Sequence, residues 1–176
     1  MQRSELEHIL AAAAQVVKSD VFVVIGSQAI LGTFEDPPES LLQSMEADIY
    51  VPDAPEKSDL IDGVFGDGSN FHLAFGFYAH GVGPETAKPP LGWQDRLVRL
   101  EIPPRPGSTV SATALCLEMH DLVLSKCYAC RERDWDYARD TMRAGLVDRD
   151  TLLRRLPTMP LDAERERLIR QMLMGM

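Results

Sequence analysis

Two short groups of residues have the types and spacing to act on a phosphate ester. The first is Gly26-Ser27, which ends the β-branched run VFVVI (21–25) and leads into the helical stretch QAILGTF. A strand that turns through Gly-Ser into a helix leaves backbone N–H groups exposed at the helix start, where a phosphate can be held. The second is Glu46-x-Asp48, at the entry of a second strand, ADIYV (47–51). Residues two apart on a strand point to the same face. Two such carboxylates repel each other, and a cation between them keeps both charged. Mg²⁺, with oxygen ligands completed by a nucleotide's phosphates, meets that need. The plainer alternative is that Glu46 only precedes the strand and Asp48 bonds a neighbouring backbone.

Other reactive side chains read more simply. Met119, Val123, Cys127 and Cys130 fall on one helical face, which makes Cys127-x-x-Cys130 core packing. No second CxxC completes a zinc site. His8, His72, His80 and His120 are scattered without an HxxxH pair, and no GxSxG marks a hydrolase. His72 and His80 flank a third strand, so either can line a pocket, although structural or surface roles suit them better. Lys126 lies beside the apolar Leu122, Val123 and Cys127, where a lysine either snorkels or has a specific partner.

The elements that position these groups follow from periodicity. Ser4 and Glu7 have capping-box spacing, and Leu6, Ile9, Leu10, Ala13, Val16 and Val17 continue a helix to about residue 18. After the two strands, 55–65 reads as helix, FHLAFGFYA (71–79) as a third strand, RLVRLEI (96–102) as a fourth and 109–117 as a fifth. From 118 the pattern is helical only, over about 118–131, 133–144, 149–156 and 161–174. Strands first and helices afterwards predict an α+β sheet with a C-terminal helical part. The division is 1–117 for the core and 118–176 for helices packed on it as one unit.

The segments VVIGSQAILGTF (23–34), ESLLQSMEADIYV (39–51), DLIDGVFG (59–66), FHLAFGFYAHGVGPETA (71–87), GWQDRLVRL (92–100) and LEMHDLVLSKCYACRERDWDYA (117–138) resemble, in this order, the DNA polymerase β-like nucleotidyltransferase superfamily. Within it they are most similar to the small bacterial nucleotidyltransferase-like proteins that include AbiEii-type toxins. The resemblance implies a mixed sheet flanked by helices. It implies that Gly26 and Ser27 hold a triphosphate, that Glu46 and Asp48 bind Mg²⁺ (or Mn²⁺), and that Lys126 and Arg131 face the phosphates. The superfamily usually has Asp first in the acidic pair and a third carboxylate on a later strand. Here Glu stands first, and Glu101, ahead of Asp95, is the expected third acid. The implied activity is nucleotidyl transfer from an NTP to a hydroxyl of an RNA end, a protein or a small molecule. The alternative is a degenerate nucleotide-binding protein or a toxin–antitoxin partner. Ordinary exposed charges, with Arg131 pairing to Asp134, are the competing account of the helix residues.

Composition sets the outer bounds. The 176 residues carry a net charge of −9. Residues 1–90 hold 14 acids against 4 bases, whereas 91–176 hold 13 against 14, of which 13 are Arg. An acidic front half suits a divalent cation, and an Arg-rich rear half offers phosphate donors. A nonspecific nucleic-acid coat needs a basic stripe, which this chain lacks. No apolar run reaches the ~18 residues of a membrane span. Glu5 and Glu7 stand where a secretion signal needs basic residues, and three cysteines cannot all pair, so the expected location is the cytoplasm.

Overall fold

A computed structural model describes all of residues 1–176. The chain begins with α1 (Arg3–Val17), whose buried stripe of Leu6, Ile9, Leu10, Ala13 and Val17 matches the helical period. Its start lies earlier than the Ser4 cap predicts: the Glu5 carboxylate accepts from the Gln2 backbone N–H at 2.6 Å. Then follow β1 (Val21–Ile25), a 3-10 turn (Ser27–Ala29), α2 (Ile30–Thr33), β2 (Glu46–Tyr50), α3 (Ser58–Phe65), α4 (Asn70–Phe75) and β3 (Tyr78–Gly81). β4 (Val98–Ile102) and β5 (Ala112–Cys116) complete the strands, and α5 (Met119–Ala129), α6 (Glu132–Arg143), α7 (Arg149–Arg155) and α8 (Ala163–Met174) end the chain.

The strands form one mixed sheet in the order β3-β2-β1-β5-β4, flanked by helices, an α+β architecture of the nucleotidyltransferase type. β2 runs antiparallel to β1 and parallel to β3. Alternation along each strand separates two faces. Phe22, Val24, Ala47, Ile49, Ala79 and Ala114 join the main core with the buried stripe of α1. The opposite face carries a small apolar cluster of Val23, Ile25, Tyr50 and Val82, with the polar residues of β2 and β3 beside it.

One expected element changes type. Residues 71–79 were expected to be a strand because they are aromatic-rich, but Asn70–Phe75 is helical and only Tyr78–Gly81 pairs with the sheet. Local chemistry explains the difference. The Ser69 hydroxyl caps the His72 N–H, Gly76 closes the helix at φ 79°, and Phe71 and Phe75, one turn apart, stack at 4.7 Å. A second detail concerns Cys130. It closes α5 in the left-handed conformation and packs half-buried against the core, while Cys127 is fully buried.

The rear helices lean on the sheet where the site lies. α5 packs against the Ser27–Ala29 turn, and α6 against a 3-10 turn at Glu39–Leu41. No helix is long and apolar enough to cross a membrane.

Candidate functional site

β1 and β2 define the floor of the site. Ile25 pairs with Asp48 in register, so the end of β1 delivers Gly26 directly beside the acidic pair. Gly26 has φ +67°, and a Cβ on it would lie 2.1 Å from Asp48 Oδ2. Only glycine permits both that backbone conformation and that approach. The turn is tied to the entry of β2 by buried Gln28, whose side-chain amide donates to the Ser44 carbonyl at 2.8 Å.

Glu46 and Asp48 share the polar face of β2, as the period-two argument requires. On β3, Tyr78 stands opposite Glu46 and His80 opposite Asp48. The Tyr78 hydroxyl donates to Glu46 Oε2 at 3.2 Å. His80 Nδ1 lies 3.0 Å from Glu46 Oε1 and 3.3 Å from Asp48 Oδ1. Ligand atoms of all three residues lie within 4.8 Å of one another, a spacing that suits the ligand set of a divalent ion. Burial, reinforced by the Glu46 charge, pushes the Asp48 carboxyl up to about 6 despite the neighbouring imidazole. Burial opposes the charged form of His80, but Asp62, Asp48 and Glu46 outweigh it and raise its pKa. Two hard carboxylate oxygens converging on one point, with a carboxyl that resists ionisation there, fit a divalent cation.

The wall contributed by α5 and α6 carries Lys126, Arg131 and Arg133 interleaved with Asp134, Asp136 and Asp140. Lys126 reaches from α5 to place its ammonium 2.9 Å from Ser27 Oγ, 3.5 Å from Asp134 Oδ1 and 4.5 Å from the centre of the Tyr137 ring. Burial lowers its pKa, an effect partly countered by Asp134. Its apolar neighbours thus accompany a specific partner set rather than simple snorkelling. The Tyr137 hydroxyl donates to the Ser27 carbonyl at 3.4 Å. Arg131 donates through Nε to Asp134 Oδ2 at 2.6 Å, the i,i+3 pairing considered from sequence, and also lines the cavity. Between floor and wall lies a cavity of about 720 Å³, lined among others by Gly26, Ser27, Glu46, Asp48, His80 and Lys126.

The structure does not bring Glu101 to this cavity. It sits on β4, separated from β2 by β1 and β5, about 14 Å at the usual strand spacing. Its carboxylate is exposed and held by Arg99 and by the Thr113 hydroxyl, the latter at 3.0 Å. Asp95, on a 3-10 turn, is exposed and does not line the cavity. Nor is the Gly-Ser bend followed by a long helix. Ser27–Ala29 is a 3-10 turn and α2 has only 4 residues, so little helix dipole backs the bend. The polar groups at the bend are the Ser27 hydroxyl and the Lys126 ammonium that donates to it. The sequence gives no sign of Tyr78 or Tyr137 at the site, and it leaves His80 as one of two histidines able to line a pocket. Only His80 carried a signal, its place beside the third strand.

Fold and site together define an α+β nucleotidyltransferase-type domain. The chain belongs to a family described as nucleotidyltransferase of unknown function (DUF6036), whose sequence model matches residues 4–174. No curated protein and no solved structure matches the chain.

Proposed function

We propose that the protein transfers a nucleotidyl group from a nucleoside triphosphate to a hydroxyl acceptor, with Mg²⁺ or Mn²⁺ held by Glu46 and Asp48. One observation carries this reading: the carboxylate pair and the Ser27–Lys126 pair line the same cavity. Glu46 and Asp48 hold the cation, and Tyr78 fixes the Glu46 carboxylate through its second oxygen. A divalent ion bound there offsets charge on the phosphates and on the departing pyrophosphate. Ser27 Oγ and Lys126 Nζ act as phosphate donors, with Asp134 favouring the charged form of Lys126 against its burial. Arg131 and Arg133 line the same cavity, Arg131 paired with Asp134. In the reaction, the acceptor oxygen bonds to the α-phosphorus and the bond to pyrophosphate breaks. An RNA end, a protein side chain and a small molecule each provide such an oxygen.

The test is incubation with each α-³²P-labelled NTP, Mg²⁺ or Mn²⁺, and cell RNA or protein extract. Label transfer that disappears in Asp48→Ala supports the enzyme. A second reading is a domain that binds a nucleotide without turnover, as a partner in a toxin–antitoxin or defence system. It is favoured by His80, whose imidazole bridges the two carboxylates where a cation would otherwise sit. NTP binding without label transfer supports it.

A further inference from the structure

We propose that His80 is the third protein ligand of the ion at Glu46 and Asp48, and that this nitrogen-containing set takes Mn²⁺ in preference to Mg²⁺. The inference rests on the divalent-ion reading above and adds which residue completes the site and which ion it selects. Register is the first argument. β3 pairs with β2 so that His80 stands directly opposite Asp48, and the imidazole meets both acids on one face. The distances are the second. An ion with bonds of about 2.0–2.2 Å spans ligand atoms roughly 3–4 Å apart. His80 Nδ1 lies 3.0 Å from Glu46 Oε1 and 3.3 Å from Asp48 Oδ1.

The third argument is that nearby carboxylates are already engaged. Asp62 accepts from the Gly81 backbone N–H at 2.7 Å. Asp134 is held by Arg131 and Lys126, and Asp136 by Arg139. Asp140 lines the cavity as well, 3.9 Å from Arg143, but the ligand atoms within 4.8 Å of one another are those of Glu46, Asp48 and His80, which makes the third a nitrogen. Mg²⁺ strongly prefers oxygen ligands, whereas first-row transition ions accept imidazole. Mn²⁺ also favours carboxylate and water oxygens, so it suits two acids and one imidazole while leaving positions for phosphate oxygens.

His80 has one other physical role to be distinguished. As an imidazolium, its N–H would substitute for a cation and compete with one. The two roles predict opposite effects of removing the ring. Isothermal titration of the full chain with MnCl₂ and with MgCl₂, without nucleotide, is combined with pulsed EPR of bound Mn²⁺. The wild type is expected to bind Mn²⁺ at least ~10-fold more tightly than Mg²⁺ and to show a ¹⁴N coupling. His80→Ala is expected to lose at least ~10-fold in Mn²⁺ affinity, together with the coupling. His80→Asp restores an all-oxygen set and shifts the preference toward Mg²⁺. Mn²⁺ binding that is unchanged or tighter in His80→Ala, or an absent ¹⁴N signal, overturns the inference. If binding then still depends on Asp48, the divalent-ion reading stands without it. A wild type that binds neither ion overturns both. The side chain of His80 is 51% exposed, so neither substitution opens a cavity in the core.

Discussion

The molecule gathers acids around a histidine in two places, and the two are built oppositely. At the base of α5, Glu118 and the fully buried Asp121 meet Arg155, while Asp121 also accepts from Arg96 Nε at 2.7 Å and His120 bridges Glu118 and Asp148. Burial there disfavours ionisation, but His120 and Arg155 overcome it and hold Glu118 at about 2. At the cavity floor no arginine approaches Glu46 and Asp48 within ion-pair distance, and Asp48 is pushed the other way, to about 6. One cluster is neutralised by its own chain and fastens α5, α7 and the 90–96 loop together. The other keeps a charge deficit that an added cation can fill.

Breaking each cluster should therefore have different consequences. Asp48→Ala is expected to lower label transfer by roughly 10³-fold or more while leaving the melting temperature at or above the wild-type value, because it removes charge repulsion. Asp121→Ala should do the reverse, costing about 3–5 kcal/mol in urea unfolding by leaving Arg96 and Arg155 without their buried partner. Gly26→Ala forces a methyl against Asp48. Transfer should fall by about 10²-fold, of the order seen for small misplacements of a catalytic group, with weakened ion binding by titration calorimetry. Lys126→Gln, which keeps the stem but removes the charge, should raise the KM for NTP by about 10-fold, read from saturation curves.

Acid titration sharpens the contrast. Glu118 lies below its ordinary 4.5 in the folded protein, so its contribution is complete above that pH and is lost as pH falls toward about 2. Asp48 is raised, so the ion-free floor is most favourable below about pH 4 and loses stability as pH rises through about 6. Unfolding measured against pH, with and without a divalent ion, should show the added ion recovering stability above pH 6 and changing nothing near pH 3. The smallest effect belongs to Glu101→Gln, expected to leave transfer within about twofold because that carboxylate lies on a distant strand.

Much of this arrangement could be read from the chain, for local reasons. The β-branched run before Gly26, the alternation around Glu46 and Asp48, and the helical period after 118 are properties of neighbouring residues, and each matches an element. The rest depended on which strands become neighbours. β3 joins β2 in parallel, a long-range pairing that spacing alone does not specify, and this pairing brings His80 to the acids. Reading Phe71–Phe75 as strand also placed His80 beyond the strand end, hiding its register. Glu101 was chosen because it lies on a later strand, but sequence order does not give sheet order.

The link between Lys126 and Ser27 joins residues 99 positions apart. A chain emerging from the ribosome has the bend and both strand acids long before it has the lysine that faces them. Half-made copies thus carry the acidic strand without the lysine beside it, and the Ser27–Lys126 pair forms only once α5 has been made.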